Sequence, residues 1–228
     1  MDLQFPLHQQ PLLQLDGVED VKNSRVPKHP HGWSRDIEML HQPGELISRE
    51  ILKASPLYLE IGCGHGDFLV RKAKENPGEY FIGIENVSFF AIDAAEKIEE
   101  NNLSNVLILN QNANELLEEI IPDEYLDGMY ILYPDPWPKR RHRKRRLLKE
   151  ETYDRYHAVL KPGGWIEIWT DTDQWVDLSM PFLERLPGAV SQEEVADQIG
   201  PTRTYFEQRA KSKQHPIYHI LYKKPNSA

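Results

Sequence analysis

The chain has 228 residues, 39% apolar and 28% charged, which suits one folded domain with a sizeable core and excludes global disorder. No stretch approaches the roughly 20 apolar residues that span a bilayer, no signal segment opens the chain, and one cysteine, Cys63, excludes an internal disulfide or a Cys-rich zinc site. With 27 basic against 36 acidic residues the net charge is −9, so the overall field repels nucleic acid; a cytoplasmic protein without a metal centre is the expectation.

Residues 1 to about 50 have weak periodicity, several prolines and scattered basic residues (Lys22, Arg25, Lys28 and Arg35). They are expected to form an irregular N-terminal extension to a domain spanning 51–228. From about residue 56, short β-rich apolar runs alternate with helical stretches. A first strand over 57–61 runs into a glycine turn, and a helix over 68–74 stops near Asn76-Pro77-Gly78. A second strand covers 80–84 and a long helix 89–100. A third strand covers 106–109, with a short helix around Leu116, and a fourth covers 126–133. A helix over 146–160 ends at Lys161-Pro162-Gly163-Gly164 before a fifth strand over 165–170. Residues 217–223 alternate well enough to close the sheet as an antiparallel strand. The expected fold is a doubly wound, Rossmann-like α/β domain, whose ligands sit beyond the carboxyl ends of the strands.

The turn after strand one reads Glu60-Ile61-Gly62-Cys63-Gly64-His65-Gly66. Gly62, Gly64 and Gly66 let the backbone bend tightly and approach a cofactor. Glu85, at the end of strand two, is placed to accept hydrogen bonds from both ribose hydroxyls of a nucleoside. A dinucleotide fold also wants an acidic residue about 20 positions after its glycines, so an oxidoreductase stays open here. Two details favour S-adenosylmethionine. The spacing is Gly-x-Gly-x-Gly, and Glu60 would face a cationic methionine end but repel a pyrophosphate. Cys63 reads as a small residue filling the turn, since no base partner for a nucleophile is evident. Asn112, after strand three, either contacts an adenine or caps the next helix.

Tyr133-Pro134-Asp135-Pro136-Trp137-Pro138-Lys139 follows strand four. Three prolines stiffen the loop, which holds a carboxylate and an aromatic face ready for a planar base. Then seven of the 27 basic residues fall in the eight positions from Lys139 to Arg146. Such a run is commonly a solvated face. Beside a cofactor cleft, with Trp137 to stack, it is suited to RNA phosphates. Near the C-terminus, Thr204-x-x-Glu207 fits a helix capping box.

Taken in order, these motifs resemble the tRNA (guanine-N7)-methyltransferases. The similarity runs from about Leu57 to Lys223. It covers Leu-Glu-Ile-Gly-x-Gly, Gly-Ile-Glu, Pro-Asp-Pro-Trp followed by lysine and a basic stretch, Trp169-Thr170-Asp171, and Thr204-Tyr205-Phe206-Glu207-Gln208-Arg209. The resemblance implies a class I methyltransferase fold and S-adenosyl-L-methionine as cofactor, contacted by Glu60, Glu85, Asn112 and Asp135 with the three glycines. It implies that Lys139, Asp171 and Thr204, Tyr205, Phe206 and Glu207 contact substrate. Arg140, Arg141, Arg143, Lys144, Arg145 and Arg146 would bind the tRNA backbone. Two departures stand out: Asn112 replaces an aspartate common in relatives, and Ala210 replaces the glycine that commonly follows Gln-Arg.

The implied reaction is methyl transfer to guanine N7, conventionally at variable-loop position 46, with tRNA as partner; no feature of the sequence requires a protein partner. Guanine N7 has an in-plane lone pair and no proton, so the protein's task is positioning and charge stabilisation. Asp135 is the expected catalytic residue, acting by orientation and charge. An inactive RNA-binding module and a methyltransferase for another base or an exocyclic amine are the remaining alternatives.

Overall fold

Alternating side chains on short apolar strands have to be buried on both faces, and the fold does this with three helices on each side of one sheet. The computed structural model describes residues 56–134, 150–195 and 204–227. Strands β1 (Leu57–Ile61), β2 (Tyr80–Ile84), β3 (Val106–Leu109), β4 (Leu126–Leu132) and β5 (Leu160–Thr170) are parallel. The helices are α1 (Asp67–Glu75), α2 (Ser88–Glu100), α3 (Ala113–Glu119), α4 (Glu150–Val159), α5 (Asp173–Leu183) and α6 (Tyr205–Ser212). Two further strands, β6 (Ala189–Glu194) and β7 (Tyr218–Lys223), complete the order β3-β2-β1-β4-β5-β7-β6. β7 runs antiparallel to both β5 and β6. The doubly wound α/β expectation holds.

Period two along the strands separates two cores. Leu57, Leu59 and Ile61 pack with Leu116, Tyr156 and Trp175 of α3, α4 and α5. Phe81, Ile108 and Tyr130 pack with Phe68, Ala94 and Ala210 of α1, α2 and α6. The chain winds from β1 through β2 to β3, then crosses back to β4 on the other side of β1. That reversal opens a crevice beyond the carboxyl ends of β1 and β4.

Several expectations are revised. β7 is not the sheet edge, because β6 pairs outside it. β6 reads Ala-Val-Ser-Gln-Glu-Glu and is exposed nearly throughout, so it carries no buried alternation. α5 contains Pro181, which obscures its helical pattern. β5 begins at Leu160, not Trp165. Pairing with β4 jumps from Leu126↔Leu160 to Gly128↔Trp165, so the expected Lys-Pro-Gly-Gly turn is an irregularity within the strand. β4 stops one residue early, since Tyr133 takes a positive φ of 49°. α4 is described from Glu150; positions 146–149 and the N-terminal extension lie outside the described residues.

Candidate active site

The glycine turn sits where β1 enters the crevice. Gly62, Gly64 and Gly66 have φ of 75°, 53° and 73°, the left-handed region that L side chains rarely adopt. The amides of Gly62 and Cys63 both donate to the Ile84 carbonyl, at 2.8 and 3.1 Å, tying the turn to the end of β2. A Cβ at Gly66 would lie 2.8 Å from the Ala94 Cβ, so this glycine lets α2 close on the turn. At Gly62 and Gly64 a Cβ would meet nothing within 4 Å. Those two positions face a cavity of about 700 Å³.

Two carboxylates flank the turn. Each oxygen of Glu85 accepts one backbone N–H, Oε2 from Gly64 at 3.0 Å and Oε1 from Val87 at 2.9 Å. That fixes the carboxylate at the cavity wall and leaves each oxygen able to accept again. Glu60 is 2% exposed, and its Oε2 has no hydrogen-bond partner among the described residues. Burial, with the charge of Glu85 second, pushes its carboxyl well above the usual carboxylate range. A buried acceptor without a donor is costly, and a cationic donor seated at the turn would offset that cost. The buried acid, the anchored Glu85 and the open glycine cradle fit the amino-acid and ribose parts of S-adenosylmethionine.

Not all the expected residues share the cavity. Gly62, Gly64, Glu85, Asn112, Tyr205 and Phe206 line it. Asn112 also caps α3, its side chain accepting from Asn114 N at 3.0 Å, so the capping alternative is realised at the cavity wall. Thr204 caps α6 by accepting from Glu207 N at 3.1 Å. Glu207 is buried and pairs with Lys211 at 2.8 Å. These two residues do not line the cavity; they set the start of α6, which presents the exposed Tyr205 and Phe206 to it. Asp171, at the end of β5, faces His215 at 3.4 Å and also lies off the cavity. Asp135, Lys139, Arg140, Arg141, Arg143, Lys144, Arg145 and Arg146 lie outside the described residues. Cys63 is buried, and burial pushes its thiol well up, as a filler residue requires.

Sequence reasoning missed four contributors. Gln111 lines the cavity with a buried Oε1 that has no partner among the described residues; its only signal was adjacency to Asn112. Tyr133 and Pro134 line it too, and a positive φ at a tyrosine before a proline is backbone held away from its preferred regions. Trp175 of α5 donates its indole N–H to the Pro134 carbonyl at 2.7 Å.

A family model described as "Putative methyltransferase" matches residues 54–220. A tRNA (guanine-N7)-methyltransferase of Nitrosospira multiformis is 32% identical over 192 residues, 81% of this chain and 82% of that protein. The chain belongs to the tRNA (guanine-N7)-methyltransferase family. Another member, from Francisella philomiragia, is 37% identical over 181 residues, 77% of this chain and 78% of its own length. At the level of fold, the 16S rRNA (adenine(1408)-N(1))-methyltransferase of Catenulisporales acidiphilia superposes with a TM-score of 0.59 at 15% identity, covering 81% of this chain and 92% of that one. Within this family's pattern, Ala210 is the position at which the sequence leads to the expectation of a different local backbone. That residue is buried inside α6, which continues as regular helix to Ser212.

Proposed function

We propose that the chain methylates N7 of guanine in tRNA, at the variable-loop guanine conventionally numbered 46, using S-adenosyl-L-methionine in the cytoplasm. The observation that carries this reading is the buried Glu60 oxygen, unpartnered among the described residues, beside a glycine cradle and an anchored Glu85. That arrangement suits a cationic nucleoside ligand and opposes a pyrophosphate. When bound, S-adenosylmethionine supplies an electrophilic sulfonium methyl. Glu60 and the backbone of Gly62, Gly64 and Gly66 hold its amino-acid part, Glu85 accepts from the ribose hydroxyls, and Asn112 borders the adenine.

Guanine N7 needs no base, so the remaining residues orient the ring and meet the charge it acquires. We assign the central part to Asp135, which follows Pro134 at the cavity wall, and substrate contacts to Lys139, Asp171 and the start of α6. Tyr205 and Phe206 make those contacts directly; Thr204 and Glu207 hold them in place. Arg140, Arg141, Arg143, Lys144, Arg145 and Arg146 bind phosphates, concentrating positive charge on an otherwise acidic chain. The test is incubation of the purified chain with unmodified tRNA transcripts and methyl-labelled S-adenosylmethionine, followed by nucleoside identification. Labelled 7-methylguanosine, lost in Asp135→Ala and on substitution of the variable-loop guanine, supports reaction, residue and position. Label in another nucleoside would discard the guanine-N7 assignment.

A further inference from the structure

Among the described residues, the exposed large apolar side chains are Val87, Phe89, Tyr205 and Phe206. Three of them line the cavity; Phe89 stands at its edge, on two residues that do line it. Its ring meets Phe90 edge-on at 5.5 Å and His65 at 6.3 Å, and His65 in turn meets Phe90 at 4.7 Å. His65 is itself held by Asp93, whose carboxylate lies 2.6 Å from its Nδ1, and Lys97 bonds the His65 carbonyl at 3.1 Å. Phe89 is therefore half exposed on a braced base, one of a group of exposed apolar side chains at the cavity, the kind of surface that marks an interaction site.

We propose that Phe89 is a stacking platform for the nucleobase that flanks the target guanine. The inference rests on the tRNA reading above. A guanine delivered to the cavity leaves its stack, so its neighbour loses a partner on one face. An aromatic ring at the cavity edge restores that contact without reading sequence, because every base has a π-face. Tyr205 and Phe206 serve the target base from α6; Phe89 supplies a further aromatic face, from α2, beside His65 and Phe90 of the same cavity.

The test uses the full chain, its tRNA, and 2-aminopurine placed in separate tRNAs at the 5′ and 3′ neighbours of the methylated guanine. Wild type quenches 2-aminopurine emission at one of these positions. Phe89→Leu abolishes the quenching and raises the KM for tRNA roughly tenfold, as loss of one base–aromatic stack does, while the Kd for S-adenosylmethionine stays unchanged. Phe89→Trp restores both. No quenching at either position would overturn the platform, as would an unchanged KM in Phe89→Leu. A Kd for S-adenosylmethionine that rises in step with KM would overturn it by assigning the ring to the cofactor cavity. Equal performance of leucine and tryptophan would overturn it by showing an apolar contact with another protein segment. Wild-type protein that forms no 7-methylguanosine would overturn the tRNA reading as well, which separates the two failures.

Discussion

The indole N–H of Trp175 donates to the Pro134 carbonyl at 2.7 Å, joining α5 to the segment that follows β4. Trp175 is 1% exposed within the core of α3, α4 and α5, so its ring cannot drift. The bond therefore fixes the last backbone unit before Asp135 from the opposite layer of the fold. Tyr133 adds a second anchor, its amide donating to the Trp169 carbonyl at 2.7 Å.

Trp175→Phe keeps an aromatic ring in that core and removes the donor. The stranded carbonyl is expected to cost about 1–3 kcal/mol of stability. If Asp135 orients the base, kcat falls roughly tenfold to a hundredfold, because small misplacements at a reacting centre are costly. The Kd for S-adenosylmethionine stays near that of wild type. Chemical denaturation with steady-state kinetics measures all three; an unchanged kcat would show that this bond does not govern the loop.

Glu60 predicts a proton released on cofactor binding. Burial first, then the charges of Glu85 and Asp67, raise its carboxyl pKa, and Arg71 opposes only in part. A carboxyl raised in the folded state adds stability below its unfolded value, and that stability is lost as pH rises through the folded value. Glu60→Gln should therefore stabilise the unliganded protein on the high-pH side. Binding of a cationic ligand lowers the Glu60 pKa, so affinity for S-adenosylmethionine should rise with pH. Calorimetry in two buffers of different ionisation enthalpy reads the released proton. Glu60→Gln should remove that release and weaken binding by about tenfold or more, the worth of a hydrogen bond to a charged group.

Two glycines of one turn should fail differently. Gly66→Ala combines a left-handed φ of 73° with a Cβ 2.8 Å from that of Ala94. Strain and overpacking together are expected to cost about 2–5 kcal/mol, and Ala94→Gly in the same chain should recover only the packing part. Gly62→Ala has the same backbone penalty, about 1–2 kcal/mol, but its methyl meets no atom within 4 Å. It occupies open space at the cavity, so its larger effect should be on the Kd for S-adenosylmethionine. Melting curves and cofactor titrations of the two variants separate these effects.

What could be read from the sequence was whatever obeys a local rule. β1 to β4 followed from short apolar runs, and the glycine turn with Glu60 and Glu85 followed from spacing at strand ends. The capping box at Thr204 was legible and proved to be a cap. β6 was not, because an edge strand exposed on both faces has no alternation to detect. Gln111, Trp175 and the pairing of Phe89 with His65 were not legible either. Gln111 is placed only by the cavity it lines, while the other two act through residues distant in sequence: only the topology brings Trp175 of α5 against Pro134 or His65 of the turn against α2.

His219 predicts how the C-terminal half of the sheet responds to pH. From β7 its ring stacks on Trp169 of β5, with centroids 4.3 Å apart; its Nδ1 hydrogen-bonds Glu193 of β6 at 3.1 Å, and its Nε2 faces Glu167 of β5 as an ion pair at 3.1 Å. Burial alone would lower its pKa, but the two carboxylates hold it above the ordinary 6.5. Burial would likewise raise Glu167, and the facing His219 with the hydrogen bond from Trp169 brings it below the ordinary 4.5. For the histidine, the stability gained is full below its unfolded value and fades as pH rises through the folded one. For Glu167 the gain is full above its unfolded value and fades as pH falls through the folded one. Both act together only between about 4.5 and 6.5, so stability relative to His219→Gln should be greatest there and narrow on either side. Glu193 is mostly exposed, so the whole difference should be about 1 kcal/mol or less. Urea denaturation of the two proteins across pH 4 to 9 measures it. A difference that stayed constant with pH would assign His219 to packing on Trp169 and not to its charge.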